Sequence, residues 1–251
     1  MFFEYVFKDP TPFIKTIEMV KDVVDTVNFQ FHGNEIEFQC MDNYKVSLSM
    51  AKFGNDCFTK TTNSGYIHKG LHLKPLFLCL KCYKPGDVLT LSSEEETSLV
   101  IGIKKSKINE HYTFRLSCVM METDMLQIPD DIKYSCEFSM NSNDFTEIVK
   151  NTSAFGNTIT FSNKEKSLDI SGQDLHGSLM VSKIFSKSNF SFMKNTNVSL
   201  STKYVQMFAK GNYISSEINV SLSEDDPVVF AYFFGDYSYL KFYLAPKYPD
   251  N

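Results

Sequence analysis

The stretch FIKTIEMVKDVVDTVNFQF at residues 13–31 returns in altered form as FTEIVKNTSAFGNTITF at residues 145–161, which is 145 - 13 = 132 residues later. Both copies read as an amphipathic helix followed by a strand of alternating apolar residues. The same shift holds between Asp42 and Asp174, each in a polar turn between two alternating strands. A repeat of this length predicts two similar domains in one chain.

Outside this repeat, most of the chain consists of short alternating segments. EIEFQC, VLTLS, YTFRLSC, YSCEFSM and KFYLA each alternate with a period of two residues, which is typical of strands. Each half also carries a second short helix, around residues 74–81 and around residues 202–210. We therefore predict an α+β fold in which each domain is mostly antiparallel sheet with two short helices. The natural linker is residues 118–133, between domains 1–117 and 134–251.

The composition indicates a folded protein inside the cell. With 251 residues and a mass of 28.8 kDa, the chain can bury two cores of ordinary size. No signal-peptide pattern occurs, and no apolar run approaches the roughly 18 residues of a spanning helix, so we expect no membrane partner. A net charge of -5 argues against a uniformly basic nucleic-acid-binding surface. Lysines gathered on one surface would still present a basic face.

Lysines recur at matching places on the predicted helices. Lys74 and Lys81 lie seven residues apart, beside the apolar stripe of their helix, and Lys203 and Lys210 repeat that spacing. Lysines on one helix face are usually only solvated, but recurrence across a repeat favours a functional row. Arg115 is the only arginine, and a lysine-rich surface suits loose phosphate contacts better than base recognition. In the first helix, carboxylates at positions 18 and 22 weaken the pattern.

The enzymatic alternative rests on Cys79-Leu-Lys-Cys82. This pair lacks the second ligand pair that a structural zinc site needs, and it lies on a predicted helix among core residues. The six cysteines read as reduced, mostly buried thiols. The sequence has no Gly-rich phosphate loop, dinucleotide fingerprint, Gly-x-Ser-x-Gly or His-Glu-x-x-His. We expect no catalysis, cofactor or metal, and keep a cysteine-based metal or redox site as the alternative.

Six short strings, in one order along the chain, resemble the eukaryotic proliferating cell nuclear antigen family. They are MDNYKVSL (41–48), GDVLTL (86–91), LQIPD (126–130), YSCEFSM (134–140), EDDPVVFAY (224–232) and LKFYLAPK (240–247). The resemblance implies a DNA sliding clamp with two domains per subunit. Three subunits would close head to tail into a ring around duplex DNA in the nucleus, or at a viral replication site. The ring would tether DNA polymerase, clamp loader, flap endonuclease and ligase.

The resemblance also implies which residues face the DNA and the neighbouring subunit. Together with Lys74 from the helix pattern, the DNA-facing residues are Lys15, Lys21, Lys81, Lys150, Lys203 and Lys210. These contacts would be individually weak and directed to phosphates only, so that the ring can slide. Glu147 stands where the family typically has a basic residue. The neighbouring subunits would join through strands 111–117 and 177–183, with Phe114, Leu116, Leu179 and Val181 at the interface.

A second implied site is an apolar pocket for short partner peptides, under the linker and beside the C-terminus. Its residues are Met41, Lys45, Val46, Leu48, Leu126, Gln127, Ile128, Pro129, Pro227, Tyr243, Leu244, Ala245 and Pro246. Aliphatic and aromatic peptide side chains would anchor there. Lys45 replaces the usual His and Gln127 the usual Gly, so we expect an altered peptide preference. The closest alternative is a heteromeric or monomeric processivity factor of viral or protist type, which differs in self-association.

Overall fold

The computed structural model describes residues 2–63, 65–121, 126–129, 132–164, 167–186 and 188–247. The chain forms two compact units. Unit 1 consists of Met1–Asn43, Ser49–Leu126 and Phe233–Leu240, and unit 2 of Tyr44–Leu48, Gln127–Tyr232 and Lys241–Asn251. Each unit therefore holds most of one repeat and a short segment of the other.

Unit 1 is built mainly from the first half of the chain. Its elements are β1 (Phe3–Phe7), α1 (Thr11–Val20), β2 (Thr26–His32), β3 (Glu35–Met41), most of β4 (Ser47–Phe53), β5 (Phe58–Asn63), β6 (Ile67–His72), α2 (Leu73–Leu80), β7 (Val88–Ser93), β8 (Ser98–Lys104) and β9 (His111–Ser117). One antiparallel sheet has the strand order β5-β1-β7-β8-β9. In addition, β2 pairs with both β3 and β6.

Unit 2 repeats this plan. Its elements are β10 (Cys136–Asn141), α3 (Ser142–Thr152), β11 (Thr158–Lys164), β12 (Ser167–Gln173), β13 (Ser178–Ile184), β14 (Phe190–Phe192), β15 (Thr196–Ser201), α4 (Thr202–Phe208), β16 (Glu217–Leu222), nearly all of β17 (Val228–Phe233) and most of β18 (Tyr239–Leu244). One sheet has the order β13-β12-β11-β15. The strand β10 pairs with β14 and β16, and β16 pairs with β17.

The helices form where apolar residues recur at the helical period, and α3 also has a side-chain cap. Helix α1 follows Pro10 and buries Phe13, Ile17 and Val20, which the helical period places on one face. Helix α3 begins after Asn141, whose side chain accepts hydrogen bonds from two backbone N–H groups of the first turn, at 2.9 and 3.3 Å. The buried stripe leaves the opposite helix face to polar side chains.

Aromatic side chains fill the core of each unit. In unit 1, Phe13 of α1 packs edge-on against Phe53, with ring centroids 5.2 Å apart. In unit 2, Phe208 of α4 stacks on Phe242 at 4.3 Å. The burial of Phe13 or Phe208 contributes on the order of 2–3 kcal/mol and fixes which face of its helix turns outward.

The predicted fold class is confirmed: both units are antiparallel sheets with two short helices each. One helix differs from the prediction, because α4 ends at Phe208 and residues 209–213 continue as a 3-10 turn. The hydroxyl of Tyr232 donates to the carbonyl of Phe208 at 2.8 Å. A Cβ on Gly211 would lie 2.3 Å from the Tyr232 ring, so this close packing needs a glycine and tightens the last turn.

Candidate functional site

On α1 of unit 1, the predicted DNA-facing lysines are paired with carboxylates. Lys15 Nζ lies 2.7 Å from the Glu18 carboxylate, one turn along the helix. Lys21 Nζ lies 2.6 Å from the carboxylate of Asp22. Such partly exposed pairs stabilise little. They do, however, reduce the positive potential that these lysines offer to an external phosphate.

The lysines of α2 have different neighbours. Lys74 Nζ lies 2.8 Å from the Asp25 carboxylate, and their hydrogen bond raises the pKa of Lys74 and lowers that of Asp25. Lys21 and Lys81 both lie close to Phe77, with their Nζ atoms 5.2 and 5.9 Å from its ring centroid. An aromatic face attracts ammonium groups, so this ring helps to hold two positive charges together.

In unit 2, the predicted lysines stand apart from carboxylates. Lys150 lies in the last turn of α3, Lys203 in α4 and Lys210 in the 3-10 turn, and all three are exposed. None of them forms an ion pair with any residue that the structure describes. Lys203 Nζ lies 5.8 Å from the ring centroid of Tyr204. Unit 2 therefore presents more unneutralised positive charge on its helices than unit 1 does.

The predicted peptide-binding residues differ in burial. Leu48 and Leu244 are only 8% and 1% exposed, whereas Met41, Val46 and Leu126 are 37%, 37% and 53% exposed. The remaining exposed residues of the set are Lys45, Gln127, Pro129 and Pro227, and the half-buried ones are Ile128, Tyr243, Ala245 and Pro246. Apart from Met41 and Leu126, which belong to unit 1, the exposed and half-buried members belong to unit 2 and offer apolar surface there.

Within unit 2, the backbone joins two parts of this set. The Ala245 N–H donates to the Val46 carbonyl at 2.9 Å, which places the end of β18 beside the turn that precedes β4. Lys45 occupies the left-handed region, at φ 57°, and thereby turns the chain before Val46. Burial raises the pKa of Tyr134 to about 12, and the nearby Tyr243 adds to the shift.

Within unit 1, the start of the linker is held by a residue that sequence reasoning missed. The side-chain amide of Gln39 donates to the Leu126 carbonyl at 3.0 Å, and its oxygen accepts from the Leu126 N–H at 2.6 Å. A glutamine on an alternating strand reads as an ordinary solvated side chain, and its partner lies 87 residues away. No signal in the sequence could have identified this contact.

The two strands predicted at the subunit interface each lie at the end of a sheet. The strand β9 ends the five-stranded sheet and β13 ends the four-stranded sheet. Phe114, Leu116, Leu179 and Val181 are half-buried, whereas Met180 is 64% exposed. A strand with an unpaired edge and apolar side chains is a surface on which another strand can pair.

An ion pair between Asp87 and Lys105 stabilises the turn between β8 and β9. Lys105 Nζ lies 2.9 Å from Asp87, and both side chains are at most 9% exposed. The carboxylate also accepts from the Ser106 and Lys84 N–H groups, at 3.0 and 2.9 Å. The hydrogen bond from Lys105 and those from the backbone lower the pKa of Asp87 to about 2. Sequence analysis missed this pair because its members lie 18 residues apart.

The cysteines give no indication of a metal centre. Among the described residues, no group of three or more His, Cys, Asp and Glu side chains could hold a metal ion. Cys79 is buried, and burial raises the pKa of its thiol. A thiol of this kind is less reactive than an ordinary one. No described helix has the length and apolar character required to cross a membrane.

Two similar units of antiparallel sheet, with lysines on the helices and end strands whose outer edges have no partner among the described residues, define the class of DNA clamp proteins. The family model "Proliferating cell nuclear antigen, N-terminal domain" matches residues 2–126, and the model "Proliferating cell nuclear antigen, C-terminal domain" matches residues 127–247. The chain therefore belongs to the proliferating cell nuclear antigen family. It is a DNA sliding clamp and processivity factor of DNA replication and repair.

Individual relatives agree over nearly the full length. Proliferating cell nuclear antigen 2 of Drosophila melanogaster is 23% identical over 240 residues, which cover 94% of each chain. Proliferating cell nuclear antigen of Chaetomium thermophilum is 26% identical, covering 94% of this chain and 95% of the relative. The crystal structure of the Entamoeba histolytica protein superposes with a TM-score of 0.89 at 26% identity, covering 98% and 99% of the two chains.

Proposed function

We propose that three copies of this chain close head to tail into a homotrimeric ring around duplex DNA, without partner subunits of another kind. The carrying observation is that β9 and β13, at the ends of two sheets, have outer edges with no paired strand among the described residues. A strand of one copy can pair with a strand of the next, and closure of the ring removes every such edge.

The backbone geometry indicates which groups would join the copies. The Cys118 N–H donates to the Thr97 carbonyl at 2.8 Å, so even-numbered residues of β9 turn toward β8. The N–H and C=O groups of Thr113 and Arg115 therefore point outward. By the same reasoning, the Asp174 N–H bonded to the Gly177 carbonyl leaves the even-numbered groups of β13 pointing outward.

The native mass tests the ring, measured by light scattering coupled to size exclusion at two concentrations. We expect a mass near three times 28.8 kDa. Thr113→Pro removes one outward N–H, and proline is tolerated on an edge strand, so this variant should be a folded monomer. Thr113→Val keeps the N–H and should remain trimeric. A wild-type protein that stays monomeric at both concentrations would favour the heteromeric or monomeric alternative.

The helix lysines are proposed to face the DNA and to contact phosphates without reading sequence. The supporting observation is that Lys150, Lys203 and Lys210 are exposed and make no ion pair within the described part of the chain. Phosphate contacts of this kind release counterions, so affinity should fall steeply with salt and be indifferent to base sequence. Equal affinity for two duplexes of different sequence, measured across a salt series, is the expected result.

Partner enzymes are proposed to bind through short peptides at the part of the set that lies in unit 2, around Val46, Ile128 and Tyr243. The exposed apolar side chains and the anchored C-terminal strand support a groove for aliphatic and aromatic anchors. DNA polymerase, clamp loader, flap endonuclease and ligase are the expected partners, in the nucleus, and the clamp itself performs no chemistry. Val46→Asp should abolish binding of a peptide from any of these enzymes while leaving the native mass unchanged. Unchanged binding would place the groove elsewhere.

A further inference from the structure

The outer edge of β6 is covered at Gly70 but open at His68. On one side β6 pairs with β2, with Asn28 opposite Gly70 and Gln30 opposite His68. On the other side, the Val119 N–H donates to the Gly70 carbonyl at 2.9 Å. Because groups alternate along an antiparallel strand, the N–H and C=O of His68 point the same way as those of Gly70, toward the outside.

The second repeat contains the same arrangement with one addition. On β15, the Lys247 N–H donates to the Ser199 carbonyl at 2.7 Å, as the Val119 N–H does to that of Gly70. The next outward residue is Asn197, and its N–H donates to the Glu224 carboxylate at 2.7 Å. A carboxylate thus caps the outward N–H at the position where a further strand would pair.

His68 has no such cap. It matches Asn197 by the same offset as Gly70 matches Ser199, since 197 - 68 = 199 - 70 = 129. The shift of 131 residues that relates Leu91 to Leu222 places Ser93 where Glu224 stands. The Ser93 hydroxyl is directed to the carbonyls of Glu95 and Ser98, at 2.8 and 3.2 Å. Among the described residues, the His68 N–H has no acceptor.

A cavity of about 370 Å³ lies beside this open edge. Phe2 and Tyr66 supply aromatic surface to its wall, and His68 lines it as well. The Nδ1 atom of His68 is shielded from solvent and has no hydrogen-bond partner among the described residues. Burial lowers the pKa of His68, so the imidazole is neutral and can donate or accept one more hydrogen bond.

Glu96 lines the cavity, and the turn that carries it is held in place. Lys69 is only 1% exposed, and its Nζ donates to the carbonyls of Glu95 and Glu96 at 2.6 and 2.7 Å. These hydrogen bonds hold the backbone of the β7–β8 turn and do not involve the carboxylates of Glu95 and Glu96. Glu94 and Glu96 are exposed and form no ion pair within the described residues. This turn therefore favours a basic side chain and disfavours a second copy of this acidic chain.

We propose that the open edge of β6 at His68 is a docking site for an extended segment of a partner protein, which carries a basic side chain next to an apolar or aromatic one. The segment adds a strand through the outward N–H and C=O of His68. Its apolar side chain enters the cavity against Tyr66, and its basic side chain reaches Glu96. This site lies within unit 1 and requires neither the ring nor the peptide groove.

The probe is a short blocked peptide that alternates valine with lysine around a central tyrosine, titrated into the full-length protein and followed by amide NMR. We expect the largest shift and new protection from exchange at the His68 amide. Two further versions of the peptide distinguish strand addition from nonspecific contact. One is N-methylated at its odd-numbered amides and the other at its even-numbered amides. One version should bind at least about tenfold more weakly, because it has lost edge hydrogen bonds, and the other should bind like the parent.

Variants of the protein test the same contacts. His68→Pro removes the outward N–H together with the imidazole, whereas His68→Ala removes the imidazole and retains that N–H. The proline variant should therefore bind the probe about tenfold more weakly than the alanine variant. Glu96→Gln should weaken the probe about threefold at low salt, and Glu110→Gln, also exposed, serves as its charge control. Glu224→Ala should create weak probe binding at Asn197. The proposal would be overturned if both N-methylated peptides lost affinity equally, or if the His68 amide exchanged slowly without peptide. The native mass tests the ring separately.

Discussion

The two units share one fold but present their helix lysines differently. In unit 1, Lys15, Lys21 and Lys74 each pair with a carboxylate within 2.8 Å, and only Lys81 among its helix lysines has no ion pair with a described residue. In unit 2, the three lysines on α3, α4 and the 3-10 turn have no ion pair in the described part of the chain. The spacing of lysines in a repeat therefore does not determine the positive potential at the surface. The neighbouring carboxylates decide it.

The difference between the units is tested most directly by removing the lysines of one unit at a time. Replacing Lys150, Lys203 and Lys210 by alanine should weaken binding of duplex DNA by at least about tenfold at low salt, and lower the slope of log affinity against log salt by about two. Replacing the paired lysines of unit 1 should cost about threefold, because those charges are already partly compensated. Fluorescence anisotropy across a KCl series measures both.

The matched control is the native mass of each triple variant, which must equal that of the wild type. Equal losses for the two triple variants would show that the ion pairs of unit 1 open when DNA binds. The comparison between the units would then hold only for the protein without DNA.

The two units also differ where the chain leaves the last strand of each repeat. A Cβ on Gly70 would lie 2.2 Å from the Val119 carbonyl oxygen, whereas unit 2 has a serine, Ser199, at the matching place. Gly70→Ser should therefore push the linker away from β6 and lower the free energy of unfolding by about 1–3 kcal/mol. Ser199→Gly should cost less than about 1 kcal/mol. Chemical denaturation of the two variants measures the difference, and a tolerated Gly70→Ser would contradict the close approach.

A further difference concerns two hairpin turns, both of which lie within unit 1. Asp87 holds the β8–β9 turn together with Lys105, whereas Asp56 holds the β17–β18 turn by accepting from the Asp236 N–H and the Ser238 hydroxyl, both at 3.1 Å. The folded pKa of Asp87 is about 2, below the ordinary value near 3.9. Its contribution to stability is therefore complete above about pH 4 and is lost as pH falls toward 2.

We expect Asp87→Asn to lower the thermal midpoint at pH 7, and the gap from the wild type to close between pH 4 and pH 2.5. Thermal unfolding followed by circular dichroism at several pH values measures the gap. Asp25→Asn, at an exposed pair, is the control and should change the midpoint little at any pH. A gap that stays constant down to pH 2.5 would mean that Asp87 does not hold its turn through its charge.

Much of this fold could be predicted, because its signals are local. The 132-residue repeat, the alternating strands and the apolar stripe of Phe13, Ile17 and Val20 each depend on residues close in sequence. Glu18 stands one turn from Lys15, so that their pairing was also visible. The termination of α4 depends instead on packing against a distant tyrosine, and the prediction placed that end two residues too late.

The features that the sequence did not reveal depend on distant partners. Asp25 reaches Lys74 across 49 residues, and Gln39 reaches Leu126 across 87. Lys69 would be taken for an exposed residue because it is charged, but the structure buries it and its Nζ donates to two carbonyl groups. Such contacts are set by tertiary packing, which neither propensity nor periodicity encodes.

The smallest expected effect also tests the first comparison. It comes from freeing the lysines of unit 1 from their carboxylate partners instead of removing the lysines of unit 2. Neutralising their partners, by Glu18→Gln, Asp22→Asn and Asp25→Asn, should raise affinity for duplex DNA about threefold at low salt. Screening should abolish the gain near 0.5 M salt, where the Debye length falls to roughly 4 Å. A triple variant with the same change in net charge, at Glu94, Glu96 and Asp225, distinguishes this local release from general attraction. If both triple variants gain equally, net charge governs DNA binding and the pairing of individual lysines does not.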